Sequence, residues 1–421
     1  MKDWEEEKKK EAIFEAWNSL DKTGRFLFNK LITGGFRMGV SQRLMTKALA
    51  KATNIEDTQL AHRLMGNWDP FKVTYRELVL ESSPGDDAGR PYPFFLAYPL
   101  EGKPDDLGPV DDWCCEWKWD GIRGQLIRRK GETFVWSRGE ELISHQVPEI
   151  VASAEHLPDG TVLDGEIVVM RNDGVGLFQD LQKRIGRKKP GKKIQQTHPV
   201  AFIAYDLLEW QGQDIREKPL EHRKNRMLQL AGNVASKAPN VYFSDPLPIH
   251  SWEQAREMRD EARHYRAEGF MLKQRSAPYL SGRKKGGWWK WKLDPFTIDA
   301  VMIYAMRGHG RRANLYTDFT FAVWDEDQLV PFTKAYSGLT DDAFREITRW
   351  VNQHTIDRFG PVRAVTPELV FELAFEGIQE SSRHKSGIAL RFPRISQWRR
   401  DKPAKEADTF STLKSLLKAY Q

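Results

Sequence analysis

Cysteine is nearly absent: the 421-residue chain has two, Cys114 and Cys115, side by side. Adjacent cysteines rarely pair, and two cannot build a disulfide framework or a cysteine-rich zinc site. A reducing compartment is expected. No apolar run approaches the length needed to cross a bilayer. The opening Met-Lys-Asp-Trp-Glu-Glu-Glu-Lys-Lys-Lys reads as neither a signal peptide nor a transit peptide. These absences predict a soluble cytoplasmic protein with no membrane partner. A strong charge of one sign is also missing. Lys and Arg number 65 against 59 Asp and Glu, a net +6, which fits a nucleic-acid partner but is common without one. No internal repeat is visible. Hydrophobic residues make up 40% of the chain, enough for real cores, and the length suits two or three domains.

What is present is unevenly distributed. Lys183 to Lys193 carries seven basic residues and no acid, either a solvated loop or a contact for a polyanion. Residues 1 to about 80 read as helical, with Leu44, Met45, Ala48 and Leu49 on one face of a helix from Ser41 to Ala52. Before it, the glycine-rich stretch Thr33 to Ser41 is either a phosphate-holding turn or a plain interhelical turn. Ser82 to Arg90 has linker composition. Beyond it, Cys114–Trp119, Gly124–Ile127, Val162–Met170 and Val200–Leu208 read as strands, with helices between them such as Trp252 to Arg266. This α/β pattern ends near Leu293. A third region predicts strands at Ile298–Met306, Thr317–Trp324, Leu329–Lys334 and Leu369–Phe375. Its one helix, Asp341 to Gln353, is capped by Thr340 and buries Phe344, Ile347 and Val351. Several strands and one helix suggest a small barrel, with an OB-fold as the natural candidate. The expected fold is therefore multidomain α+β: helical over 1–88, α/β over 89–293 and an OB-fold β-barrel over 294–421.

The chemistry centres on Glu116-Trp-Lys118-Trp-Asp120-Gly121-Ile-Arg123. A Lys-x-Asp-Gly string alone arises by chance in about one chain of this length in ten. Here the lysine ends a predicted strand and Gly121 permits a tight turn, so the ammonium projects at a strand end. Further strings follow in order: Ser137-Arg138-Gly139, Leu163-Asp164-Gly165-Glu166, Tyr205-Asp206, and Glu268-Gly269-Phe270-Met271-Leu272-Lys273. Then come Trp288-Trp289-Lys290-Trp291-Lys292, Arg391-Phe392-Pro393-Arg394 and Arg399-Arg400-Asp401-Lys402. In the tryptophan-rich strand Lys290 and Lys292 share one face, and the tryptophans read as packing.

This ordered series resembles that of the covalent nucleotidyltransferases, the DNA ligases, RNA ligases and mRNA capping enzymes. The turn Gly34-Gly35-Phe36-Arg37-Met38-Gly39-Val40, Pro93-Phe94-Phe95-Leu96-Ala97 and Leu390-Arg391-Phe392-Pro393-Arg394 are similar to bacterial ATP-dependent DNA ligases with an N-terminal DNA-binding domain. The helical region is shorter than in the largest such proteins, which suggests that part of it is missing. The resemblance implies an ATP-grasp-like adenylyltransferase domain followed by the OB-fold. It implies Lys118 as the nucleophile toward the α-phosphorus of ATP. A free lysine is about one part in a thousand neutral at pH 7.4, so neighbouring cations and a metal would have to activate it. It further implies Glu166 and Glu268 on Mg²⁺ (or Mn²⁺) or the ribose, and Glu116 and Arg123 in the ATP site. Tyr205 would stack on adenine and Arg138 would meet ATP or the 5′-phosphate of the nick. Lys290 and Lys292 would lie on the α-phosphate, and Arg399 and Lys402 on the leaving pyrophosphate. Arg37, Arg43, Lys183 and Arg187 would touch DNA phosphate. Phe178 and Phe392 either wedge into the minor groove or pack in the core. The implied partner is nicked double-stranded DNA, bound by a monomer. The alternatives are an RNA ligase, a capping-type nucleotidyltransferase or a non-catalytic DNA-end-binding protein. An NAD-dependent ligase is disfavoured by the missing four-cysteine zinc site.

Overall fold

A computed structural model describes residues 4–34, 40, 42–55, 60, 63–64, 68–69, 71–81, 89–187 and 189–420, with the side chains of 42 and 43 outside the description. The chain divides into two compact units. The first is Met1–Met258 with His264–Trp291, and the second is Arg259–Arg263 with Lys292–Gln421. Among the described residues, no helix is long and apolar enough to cross a membrane.

The first unit begins with helices Glu6–Ser19, Lys22–Ile32 and Gln42–Thr53. The Asp21 carboxylate caps the second by accepting from the Gly24 amide at 2.7 Å. The third forms as expected, but its apolar face is only partly covered. Leu44 and Met45 are exposed, whereas Thr46 is buried. Leu49 and Ala50 pack against the small cluster of Leu60, Leu78 and Val79. Helical spacing defines a stripe, but the neighbouring elements decide which side of it is covered.

Two sheets follow. The larger runs, edge to edge, Val241–Phe243, Val200–Trp210, Thr161–Arg171, Ile122–Arg129 and Glu132–Ser137. The smaller runs Tyr98–Pro99, Trp288–Lys292, Ala267–Gln274 and Trp113–Trp119. The central strands of the larger sheet are buried on both faces, which explains their nearly unbroken apolar sequence. One face packs Leu126, Leu163 and Phe202 against Ile150, Met227 and Leu230 of the helices Pro148–Ala154 and Leu220–Val234. The other packs Ile127, Val162 and Leu208 against Phe95, Tyr279 and Trp288. The helix expected over Trp252 to Arg266 stops at Asp260 and continues as a 3₁₀ turn, Glu261–Arg263. Its last stretch joins the second unit, and Arg266 takes φ 58°, which no α-helix admits.

In the second unit the sheet path is Gln328–Ala335, Tyr316–Asp325, Phe296–Arg307, Val362–Val365 and Thr355–Phe359. The long Phe296–Arg307 strand also pairs along its first half with Val370–Phe375, which in turn pairs with Arg394–Trp398. Its register shifts between Met302 and Tyr304 and again between Met306 and Arg307, and such bulges bend a strand. Helix Asp341–Gln353 is capped by the Thr340 side chain, which accepts from the Ala343 amide, and it buries Phe344, Ile347 and Val351 as expected.

Candidate active site

Trp113–Trp119 lies in the smaller sheet and Ile122–Arg129 in the larger, so the Asp120–Gly121 turn steps from one sheet to the other. A Cβ on Gly121 would lie 2.4 Å from the Ile167 carbonyl oxygen and 2.8 Å from Glu166 Cγ. Only glycine lets the turn rest on the strand that carries Glu166. Lys118 sits just before this turn. Its strand pairs antiparallel with Ala267–Gln274, whose register shifts between Ala267 and Phe270, and the Glu268 carboxylate there forms an ion pair with the Lys118 ammonium. On the larger sheet Glu166 stands in register with Arg123. Burial pushes the Glu166 carboxyl up to about 8 against the pull of Lys118 and Arg123, with Asp164 and Glu268 adding to the push.

These groups surround a cleft of about 290 Å³. From the sequence-predicted set it is lined by Glu116, Lys118, Arg123, Arg138, Glu166, Tyr205 and Lys290. The Arg123 fork is held by Asp164, with Nη2 donating at 2.7 Å and Nε at 3.2 Å. Its guanidinium lies near the faces of Phe94, Tyr205 and Trp288. Asp164 also accepts from the Tyr279 hydroxyl at 2.8 Å. Glu116 is buried between Lys224 and Lys273, the latter 2.6 Å from Oε2. Burial alone would raise its carboxyl, but the two ammoniums hold it below the ordinary carboxylate range. The Lys273 ammonium is 4.2 Å from the Tyr205 ring centre and 4.6 Å from that of Trp288, close enough for cation–π attraction. The cleft is thus lined by cations, carboxylates and aromatic rings, with buried ion pairs holding Arg123 and Lys273 in place.

Other predicted residues lie elsewhere. Lys292 belongs to the second unit, 3.4 Å from the Glu376 carboxylate. Arg399 and Lys402, also in the second unit, both bind Asp299. Phe392 is two-thirds exposed with φ 51°, whereas Phe178 is half-buried against the core of the larger sheet. Lys183 and Arg187 are exposed, Lys183 with its ammonium 3.1 Å from Asp180. One member of that basic run is not a surface group: Arg184 is fully buried and donates to Glu149 at 2.6 Å. Arg37 and most of the glycine-rich turn lie outside the described residues, as does the Arg43 side chain. Lys273, which closes the Glu268 string but has no role in the sequence reading, lines the cleft, as do Arg283 and Trp119, likewise without one. Lys224, Asp164 and Tyr279 behind it also have no role in that reading. Asp164 was within reach, two positions before Glu166. Lys224 lies in an ordinary amphipathic helix and gives no local signal.

Residues 96–292 match the family described as ATP dependent DNA ligase domain, and residues 312–402 match the ATP dependent DNA ligase C terminal region. A probable DNA ligase of Koribacter versatilis is 32% identical over 415 residues, covering 93% of this chain and 71% of its own length. A DNA ligase of Methanothrix thermoacetophila is 32% identical over 391 residues, covering 91% of this chain and 69% of its own. A solved structure titled Pmar-Lig_PreS3 aligns with 73% of this chain and 67% of its own at 19% identity and a TM-score of 0.57, a likeness of fold. This chain belongs to the ATP-dependent DNA ligase family.

Proposed function

We propose that this protein seals nicks in duplex DNA by passing one adenylyl group through Lys118. The neutral Lys118 amine attacks the α-phosphorus of ATP. An N–P bond forms, the bond to the β-phosphate oxygen breaks, and pyrophosphate leaves. An oxygen of the DNA 5′-phosphate then attacks the same phosphorus and releases the lysine. Finally the 3′-hydroxyl attacks the 5′-phosphorus, forming the phosphodiester and expelling AMP. In-line transfer of this kind relies mainly on positioning and charge neutralisation.

The observation that carries this reading is Lys118 lining a cleft rich in cations and aromatic rings, in ion pair with Glu268 and beside Glu166. The pair must open and lose a proton before the amine can attack. Tyr205 offers a face for adenine, and Arg138 and Lys290 offer charge for phosphate oxygens. Arg123, committed to Asp164, acts as a fixed cationic wall. Mg²⁺ or Mn²⁺ fits the donor set, because such an ion commonly takes one or two carboxylates and completes its shell with substrate phosphates and water. Glu166 and Glu268 would hold it, and it would neutralise phosphate charge. Residues 1–88 are assigned as a helical DNA-binding domain and 294–421 as an OB-fold. Lys292, just before the latter, is assigned to the α-phosphate. The OB-fold itself carries Arg399 and Lys402 for the leaving pyrophosphate and the exposed Phe392 for the DNA groove. Arg37, Arg43, Lys183 and Arg187 are assigned to DNA phosphates, and the protein is assigned as a monomer on nicked duplex.

The test is sealing of a labelled nicked duplex with Mg²⁺ and ATP, beside GTP and beside a nicked RNA duplex. Sealing of DNA with ATP alone is expected. Activity confined to GTP or to RNA would move the protein to the capping or RNA-ligase branch.

A further inference from the structure

Arg399 and Lys402 are separated from every cleft residue in sequence, and the structure shows what organises them. Arg399 Nη1 and Lys402 Nζ donate to the same oxygen, Asp299 Oδ2, at 2.7 and 2.6 Å. Asp299 is 7% exposed, and its Oδ1 is buried with no hydrogen-bond partner. Its backbone is pinned on both sides: its N–H donates to Asp408 Oδ2 at 2.8 Å, and its carbonyl accepts from the Asp408 amide at 2.9 Å. The chain carrying the two cations is tied down too, through the Arg399 amide bonded to the Val370 carbonyl at 2.9 Å. The other edge of the Arg399 fork is closed differently. Nε and Nη2 donate to the two oxygens of Asp401 at 3.1 and 2.8 Å, and the Asp401 side chain is 65% exposed.

The two carboxylates therefore differ in kind. Asp401 sits in water on the planar edge of the guanidinium that matches a phosphate, and a phosphate can replace it at little desolvation cost. Asp299 is buried, pinned and shared between two cations, and removing a buried charge from its partners is costly. Because both donors converge on one oxygen, the guanidinium and the ammonium are held as neighbours, an arrangement suited to adjacent phosphoryl groups.

We propose that Asp299 is a positioning residue that sets the spacing of Arg399 and Lys402 for the pyrophosphate leaving group. This rests on the reading that those two cations serve lysine adenylylation. Asp299 touches neither nucleotide nor DNA. It acts by keeping the two cations arranged in advance of the charge that develops on the departing oxygen.

The test compares Asp299→Asn, Arg399→Ala, Lys402→Ala and the double variant Asp299→Asn/Arg399→Ala. Each is measured for single-turnover lysine adenylylation over a range of ATP and for sealing of a nick already carrying 5′-AMP. Asp299→Asn should lower the maximal adenylylation rate at least about tenfold, with little change in the ATP concentration for half-maximal rate. Sealing of the pre-adenylylated nick should stay near that of the unaltered protein. In the Arg399→Ala background Asp299→Asn should slow adenylylation by less than it slows the unaltered protein, because only the aspartate's hold on Lys402 is left to lose. If Asp299→Asn does not fold, Asp299→Glu keeps the charge, moves the carboxylate by one methylene, and should show the same step-specific defect. Normal adenylylation by Asp299→Asn, with Arg399→Ala and Lys402→Ala slow, overturns the positioning role alone. Equal loss in both assays, or fully multiplicative effects in the double variant, overturns it in favour of a structural role. Normal adenylylation by Arg399→Ala and Lys402→Ala overturns the reading beneath it, and the proposal with it.

Discussion

Glu166 is the residue whose environment conflicts most with its assigned task. A metal-binding carboxyl must be ionised, yet burial pushes this one up to about 8 from an ordinary 4.5. Metal entry should therefore expel a proton. The same shift makes a stability prediction. Between pH 4.5 and 8 the folded protein keeps a proton that the unfolded chain has released. Stability from this group is thus fully present below 4.5 and lost as pH rises through 8. Glu166→Gln cannot titrate, so it should flatten this part of the profile and unfold at higher temperature than the unaltered protein above pH 8. Thermal unfolding of both proteins across a pH series measures it. Parallel profiles would show that the Glu166 carboxyl is not raised. Sequence order alone indicates that Glu166 belongs with Lys118, but not its ionisation, which depends on Arg123, Asp164 and Glu268 meeting in space.

Among the elements, the turn between the two sheets matters most to the site. Gly121→Ala would drive a Cβ to within 2.4 Å of the Ile167 carbonyl, so the turn must lift and carry Lys118 with it. A nucleophile displaced by an ångström loses much of its advantage. We expect adenylylation to fall at least about tenfold, measured with labelled ATP on protein whose circular dichroism shows it folded. An unchanged rate would mean that the turn does not set the lysine. Elements with strong local signals were legible in the sequence. The Thr340-capped helix has the predicted ends and the predicted buried residues. The predicted strand Val200–Leu208 runs on to Trp210. What failed depended on distant neighbours. The helix carrying Leu44 and Met45 forms as its spacing predicts, but spacing did not say that both side chains would be exposed. Arg184 looked like part of a basic surface and instead pairs with Glu149 inside. Lys224 reaches Glu116 across 108 positions, a partnership with no trace in local pattern.

For the whole molecule, a ligase must ignore sequence, so it should meet DNA chiefly through phosphate and sugar. Affinity should fall steeply with salt, because each neutralised phosphate releases counterions. Exposed Lys183 and Arg187 and the lysines at 189, 192 and 193 are candidates for this role. Replacing Arg187, Lys189 and Lys192 with Gln should lower the slope of log affinity against log salt by about one for each phosphate no longer neutralised. Adenylylation should stay intact. An unchanged slope would return the segment to an ordinary solvated surface.

Every step rests on ATP adenylylating Lys118. The most direct measurement is incubation with ATP labelled at the α-phosphate and Mg²⁺, then denaturation, proteolysis and peptide mapping. A single AMP should be found on the peptide containing Lys118 through an acid-labile phosphoramidate. It should be absent from Lys118→Ala, and from Lys118→Arg, whose side chain stays protonated. Label retained by the alanine variant, or mapped to any other residue, would contradict the account.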